Sequence, residues 1–273
     1  MDIIKTIIYG IIEGITEWLP VSSTGHLILA EKFLNMPFSE GFLEMFRVVI
    51  QLGAIMAVVV LYFSKLWPFC ADKKQHFIKP NTWVMWFKIL VATLPAMVLG
   101  LLLDDWLEEH LYNYVVVAAM LILYGVFFIL IENRRKKPRI TSIDTLTYKD
   151  ALVIGCWQVL AMIPGTSRSG ATIVGGLLLG ASRPVAAEFT FFLAIPVMFG
   201  ASLLKIVKYL LEGLTFTGNE LTILAVGCVV AFVVSVAAIR FLMNFVKKHD
   251  FKVFGWYRIV LGVLVLGAAV VGF

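Results

Sequence analysis

The sequence predicts an all-α integral membrane protein with six spanning helices and two re-entrant helical hairpins in an inverted-topology repeat. Three observations lead there. Of the 273 residues, 60% are hydrophobic and only 15% charged, against roughly 25% charged in an ordinary soluble domain. With a mean hydropathy of +0.93, the apolar excess has to face something other than water. Six stretches have the roughly 20 apolar residues that a bilayer crossing needs. Two further apolar stretches are broken by Pro, Gly and hydroxyl residues, which leaves each half too short to cross.

In chain order, residues 3–34 form the first broken stretch, interrupted at Leu19-Pro20-Val21-Ser22-Ser23-Thr24-Gly25. Spans follow at about 42–64, 83–103 and 112–131. Residues 132–149 form a basic linker. The second broken stretch, 150–181, is interrupted at Ile163-Pro164-Gly165-Thr166-Ser167-Arg168-Ser169-Gly170. Spans at about 185–208, 221–245 and 253–272 complete the chain. In both breaks proline and glycine end one helix and hydroxyl residues cap the next. Irregular backbone at membrane depth has to be buried in protein or line a wet cavity, so each break reads as a hairpin turn.

Other classes are excluded. Disorder needs low hydrophobicity, and an outer-membrane barrel needs short alternating segments. Cys70, Cys156 and Cys228 are too few and too scattered for a disulfide framework or a metal knot. The first apolar run is interrupted by Glu13 and Glu17 and no small-residue cleavage site follows, so it is not expected to be a cleaved signal. Nothing in the chain points to nucleic acid.

Alternate loops are basic. Lys65, Lys73, Lys74 and Lys79 face Asp72 in one, Arg134, Arg135, Lys136, Lys137, Arg139 and Lys149 fill the linker, and Lys247, Lys248 and Lys252 follow the fifth span. The intervening loops carry Asp104, Asp105, Glu108 and Glu109, and Glu212 and Glu220, without Lys or Arg. The positive-inside rule puts the basic loops in the cytoplasm and both termini outside. Trp67, Trp83, Trp106, Tyr112, Tyr114, Trp256 and Tyr257 lie near span ends, as an aromatic belt would.

A shift of 145 residues aligns the two breaks: Gly10 with Gly155, Glu13 with Gln158, Ser22-Ser23-Thr24-Gly25 with Ser167-Arg168-Ser169-Gly170 and Ile28 with Ile173. The same offset brings Ile50-Gln51 onto Ile195-Pro196. The chain is thus expected to be one membrane domain over 1–273, with repeat 1 at 1–131 and repeat 2 at 150–273. A hairpin plus three spans per half inverts the second half, and such repeats place a site near the midplane where broken helices meet.

The chemistry concentrates at those breaks. Glu13 and Glu17 are four apart on one helix face, and carboxylates at this depth need a cation, a basic partner or a shared proton. Ser22, Ser23, Thr24 and Gly25 open a helix whose free N–H groups and positive dipole end suit an anion. Ser23 with His26 three residues on is the minimal form of an activated nucleophile; the bland alternative is an ordinary cap beside a satisfied histidine. The second turn, Thr166-Ser167-Arg168-Ser169-Gly170, supplies the planar guanidinium that matches phosphate oxygens. Together the two turns fit phosphoryl transfer, with a lipid phosphate as substrate. Gln51 lies in the span beside the first hairpin. Glu188 is a candidate partner for Arg168 or Arg183, although Gln51, Glu188, Arg47 and Arg183 read more simply as structural. Pro95 and Pro196 are expected to kink their spans.

The segments Glu13–His26, Phe46–Ile55 and Pro164–Thr172 resemble, over essentially the whole chain, the bacterial undecaprenyl-diphosphate phosphatases of the bacitracin-resistance family. The resemblance implies an enzyme that removes the terminal phosphate of undecaprenyl diphosphate. Its product is the monophosphate carrier lipid of cell-wall synthesis. A multi-pass protein of the bacterial cytoplasmic membrane, a site open to the outer face and a homodimer are also implied. Carried onto these residues, Ser23 attacks phosphorus or orients a water, His26 shuttles the proton, and Arg168 with the two helix N-termini binds the diphosphate. Glu13, Ser22, Thr24, Gly25, Gln51, Thr166, Ser167, Ser169 and Gly170 line the substrate. Glu13 and Glu17 hold a divalent cation or position the base. Magnesium, with calcium as the alternative, suits one or two carboxylates plus substrate oxygens. Ser23 and His26 both stand as nucleophile candidates. The rival class is a lipid-phosphate transporter or flippase built on the same anion site. A lipid phosphatase of the acid-phosphatase type would need a Lys-x6-Arg-Pro motif, which the chain lacks.

Overall fold

The computed structural model describes residues 2–31, 33–34, 36–69, 78–134 and 137–270, apart from the side chains of 104, 105 and 108. Cys70, Asp72, Lys73, Lys74, Arg135 and Lys136, which entered the cysteine and loop-charge readings, lie outside the described residues. The described chain is all helix and connection, without a named strand. The elements are α1 (Asp2–Thr16), α2 (Ser23–Ala30), α3 (Glu40–Leu61), the short α4 (Phe63–Leu66), α5 (Pro80–Leu111), α6 (Tyr114–Asn133), α7 (Tyr148–Val159), α8 (Arg168–Leu178), α9 (Arg183–Leu211), α10 (Gly218–Val246) and α11 (Lys252–Val270).

Six of these, α3, α5, α6, α9, α10 and α11, are long and apolar enough to cross a membrane. They match the six expected spans to within a few residues; α5 continues about two turns further, to Leu111. Pro95 and Pro196 lie inside α5 and α9, as expected of potential kink sites. The starts obey capping chemistry. Ser39 Oγ and Asn113 Oδ1 accept from the backbone N–H groups of Phe42 and Val116. Thr147 with Asp150, and Thr217 with Glu220, form reciprocal capping boxes. Large apolar side chains such as Leu102, Val115, Val229 and Val260 stay exposed along the spans. That much bare hydrocarbon is tolerable only against lipid.

The packing is pairwise. α6 lies along α11, α3 along α9 and α10, α1 along α10, and α5 along α7. Glycines let several of these pairs approach too closely for a side chain, two of them most of all. A Cβ at Gly53 of α3 would stand 2.1 Å from the Cys228 carbonyl of α10. A Cβ at Gly155 of α7 would stand 2.2 Å from the Ala92 carbonyl of α5. The short helices are drawn inward: α2 rests on α6 and α11, while α8 rests on α6, α7 and α9. An aromatic core that includes Trp18, Tyr124, Phe128, Phe189, Phe191 and Phe192 sits beside the two breaks.

Candidate active site

The breaks fall where the residue chemistry placed them. α1 stops at Thr16 and α2 restarts at Ser23; α7 gives way to one 3-10 turn at Leu160–Met162, and α8 restarts at Arg168. The residue before each new helix is a serine in the left-handed region, Ser22 at φ 73° and Ser167 at φ 70°, the only non-glycine residues so placed among those described. Such backbone strains an L-residue. It persists because each serine hydroxyl accepts a hydrogen bond three residues on: Gly25 N–H donates to Ser22 Oγ at 3.3 Å, and Gly170 N–H to Ser167 Oγ at 3.2 Å. Each glycine is packed tightly: a Cβ would meet Leu121 at 3.0 Å beside Gly25 and Arg258 at 3.0 Å beside Gly170.

Arg168 joins the two breaks. Its Nη2 and Nε donate to Glu17 Oε1 at 2.9 and 3.2 Å, and Nη1 donates to the Thr190 carbonyl at 3.1 Å. The two side chains are only 12% and 8% exposed, and the guanidinium also lies over the Trp18 ring. Ser169 Oγ reaches from the second break to the Leu19 carbonyl of the first, and pairs with Ser167 Oγ. Glu17, Arg168, Ser167 and Ser169 thus form one connected group spanning both turns.

Glu13 lies one turn below Glu17, wholly buried, with Glu17 and Gln51 as polar neighbours. Neither of its carboxylate oxygens has a hydrogen-bond partner among the described residues. Gln158, its counterpart in the second half, is likewise buried with its amide unpartnered. Thr166 Oγ1 and Trp18 Nε1 are also buried without partners. A buried carboxylate with both oxygens free is costly unless something else satisfies it.

His26 departs from the expected pairing. Its Nδ1 lies 2.7 Å from the Ser22 carbonyl and its Nε2 2.7 Å from Tyr257 Oη. Ser23, half-buried as the first residue of α2, makes no hydrogen bond to it. Thr24 and Gly25 follow in the first turn of α2. The expected links of Glu188 to Arg168 or Arg183 are not made. Glu188 binds Lys65 at 2.6 Å. Arg183 is held by both oxygens of Glu132, whose Oε1 also accepts from Phe251 N–H. Arg47 pairs with Glu31 at 2.7 Å. None of these pairs involves Arg168, whose carboxylate partner is Glu17.

Sequence reasoning missed Arg258. It lies in α11, fully buried, and donates to Pro20 O at 3.2 Å and to Gly165 O and Thr166 O at 2.8 Å each. Longer bonds of 3.5 Å reach Met120 O and Leu121 O of α6. One guanidinium therefore ties the first turn, the second turn and α6 together through carbonyl oxygens. The only signal was a single arginine well inside an apolar run, the kind of residue that membrane burial makes expensive.

Comparisons with known proteins show the family. The family described as bacitracin resistance protein BacA matches residues 6–264. The chain is 61% identical over 265 residues, 96% of each chain, to a protein of Enterococcus faecalis named undecaprenyl-diphosphatase. It is 59% identical to one of Lactiplantibacillus plantarum so named, over 98% of each chain. A third, from Desulfitobacterium hafniense, bears the same name at 60% identity, over 97% of this chain and 95% of its own. By its nearly full-length match to that family, and by relatives of this identity, the chain belongs to the bacitracin resistance protein BacA family.

Proposed function

We propose that this chain is a membrane-embedded undecaprenyl-diphosphatase, cleaving undecaprenyl diphosphate to undecaprenyl phosphate and inorganic phosphate. It thereby recycles the carrier lipid of cell-wall synthesis and confers resistance to bacitracin. The observation that carries the mechanism is the Glu17–Arg168 pair, which holds two glycine-opened helix N-termini at one junction. Oriented N–H groups and a guanidinium neutralise charge on a phosphoryl group without reorganising during the reaction.

In this reading Ser23 Oγ attacks the terminal phosphorus. The bond from phosphorus to the bridging oxygen breaks, undecaprenyl phosphate leaves, and water then hydrolyses the phosphoserine to inorganic phosphate. His26 takes the serine proton at Nε2, because Nδ1 faces a carbonyl that can only accept. Arg168 uses the face not occupied by Glu17 to hold the diphosphate. Ser22, Thr24, Gly25, Gln51, Thr166, Ser167, Ser169 and Gly170 shape the anion pocket. The unsatisfied oxygens of Glu13 fit a divalent cation held with Glu17, magnesium by preference and calcium as the alternative. When bound, the cation would offset negative charge on the diphosphate.

The topology belongs to the same reading. The hairpins α1–α2 and α7–α8 are re-entrant, and 1–131 and 150–273 are inverted repeats joined by a cytoplasmic linker. The packing supports this. Exchanging the halves turns the α1–α10 contact into α7–α5 and leaves α6–α11 and α3–α9 unchanged. The protein sits in the bacterial cytoplasmic membrane as a homodimer, and its site opens to the outer face.

The test is phosphate release from undecaprenyl diphosphate by purified protein in detergent with magnesium present. Release, with radiolabelled terminal phosphate trapped on Ser23 and lost in Ser23→Ala, is expected. No release would favour a lipid-phosphate carrier, and unchanged turnover in Ser23→Ala would remove the nucleophile assignment.

A further inference from the structure

Tyr257, one of the aromatic residues near a span end, also makes a specific contact. Its hydroxyl lies 2.7 Å from His26 Nε2, with the two rings nearly parallel, 12° apart, at a centroid separation of 5.6 Å. The neighbouring Trp256 and Tyr257 are both substantially exposed, yet Tyr257 spends its polar end on a group of the proposed site. A carbonyl accepts only, so Ser22 O fixes the proton on His26 Nδ1 in either charge state. All proton exchange at this ring then passes through Nε2. Towards the neutral ring, Tyr257 O–H donates to the Nε2 lone pair; towards the protonated ring, Nε2–H donates to Tyr257 Oη. The phenol serves both states by rotating one hydrogen, with no movement of heavy atoms.

The backbone makes this contact precise at long range. Tyr257 precedes Arg258, whose guanidinium is bound to Pro20, Gly165 and Thr166. The tyrosine is therefore set in register against the same turn that carries Ser22 and Ser23. Ser22, held at positive φ by its cap, aims its carbonyl at one ring nitrogen while α11 aims Tyr257 at the other.

We propose that Tyr257 is a positioning residue for the diphosphatase reaction. It acts through His26: its O–H holds Nε2 in the resting site, rotates away to free that lone pair for the Ser23 proton, and its oxygen accepts the Nε2–H bond afterwards. The proposal rests on the phosphatase reading and adds a residue to it. A side chain whose only role is to place another group's proton affects the chemical step more than substrate capture.

The experiment is a double-mutant cycle on the purified full chain, with phosphate release from undecaprenyl diphosphate as one readout. Tyr257→Phe keeps the ring and removes the hydroxyl. It is expected to lower kcat about tenfold with KM within about twofold, the loss of roughly one hydrogen bond at the transition state. In a His26→Ala background the same change is expected to do nothing further, because groups that act as a unit are not additive. Nitrogen-15 spectra of histidine-labelled protein give a second readout that does not depend on activity. The His26 signals, assigned by their disappearance in His26→Ala, should keep Nδ1 protonated in Tyr257→Phe while the Nε2 signal shifts towards a free ring nitrogen. Equal kcat in parent and Tyr257→Phe, additive losses in the cycle, or an unmoved Nε2 signal each overturns the role of Tyr257. If His26→Ala is too slow to measure, the Nε2 shift together with the kcat loss in Tyr257→Phe decides. A parent that releases no phosphate overturns the phosphatase reading and this proposal with it, whereas an active parent matched by Tyr257→Phe overturns the proposal alone.

Discussion

The two breaks in the chain have the same backbone and different chemistry. Each ends a helix, passes through a left-handed serine and opens a new helix on a glycine three residues later. The side chains at matched positions have little else in common. Where the first has Glu13, Ser23 and His26, the second has Gln158, Arg168 and Ala171. The first break carries the carboxylates, the hydroxyl and the imidazole; the second carries the guanidinium that binds across to Glu17. In the proposed mechanism the first break holds the groups that move protons and the second the fixed positive charge. Neither half is complete without its opposite.

The sharpest way to break this comparison is to move or remove the shared ion pair. Arg168→Ala removes the phosphate clamp and strands Glu17 in a site it occupies at 8% exposure. It is expected to lower kcat/KM by about a thousandfold, on the scale of deleting a main charge-stabilising group. Arg168→Lys should recover little, since an ammonium cannot serve Glu17 through two nitrogens and Thr190 O through a third. Kinetics of phosphate release from undecaprenyl diphosphate check both; near-parental activity in either would mean the second break contributes no chemistry.

The next effect lies at the residue that holds the breaks together. Arg258→Met keeps the volume and removes the donors to Pro20, Gly165 and Thr166. Three buried carbonyls lose a charged donor, and each such bond is worth about 1.5–3 kcal/mol. We expect thermal unfolding in detergent to shift down by the equivalent of at least about 3 kcal/mol, with activity falling alongside. A variant as stable as the parent would show that the two turns stay together without α11.

Smaller and more symmetric are the caps. Ser22→Ala and Ser167→Ala each remove a helix cap and leave an alanine in the left-handed region, for about 1–2 kcal/mol apiece. Ser→Gly at either place should cost only a few tenths, since glycine accepts that backbone. Matching losses at 22 and 167 support a common scaffold. Unequal ones would mean that the two turns are alike in shape and unlike in load.

The smallest effect is at the capping box that opens α7, where Asp150 is buried. Burial works against charge on Asp150, but bonds from the Thr147 backbone, Arg139 and the Thr147 hydroxyl outweigh it and hold its carboxyl below the usual aspartate range. A carboxyl with a depressed folded-state pKa stabilises fully above its unfolded value. That stability is lost as pH falls through the folded one. Asp150→Asn should therefore flatten the acid end of the stability-against-pH curve, below about pH 4, and leave the neutral region lower but level. A parent and variant with parallel curves would refute it.

The six spans, both breaks and the acid, hydroxyl and guanidinium groups at them were legible in the sequence, because each follows from local rules. Length and apolarity mark a crossing, Pro and Gly mark a break, and a charge inside an apolar run marks a site. What could not be read was partner choice. Arg258 reaches residues 92, 93 and 238 positions away, and Tyr257 meets His26 across 231. Tyr257 follows Trp256 in the first turns of a span and reads as an interfacial belt, and Arg258, next to it inside the apolar run, names no partner by itself. Glu188 was expected at Arg168 or Arg183, and packing gave it to Lys65. The expected Ser23–His26 pair failed for a local reason: positive φ at Ser22 turns its carbonyl, not the next hydroxyl, towards the ring.

The place of Arg258 in the chain has a consequence for biogenesis. Synthesis runs from the first residue, so both turns enter the membrane before α11 has been made. Until Arg258 arrives, the carbonyls of Pro20, Gly165 and Thr166 lack their common donor and Tyr257 is absent from His26. A half-inserted chain would have its charged residues at membrane depth but no assembled junction. α11 supplies the last donor of the junction, and the nascent protein should be inert towards its lipid until insertion is finished.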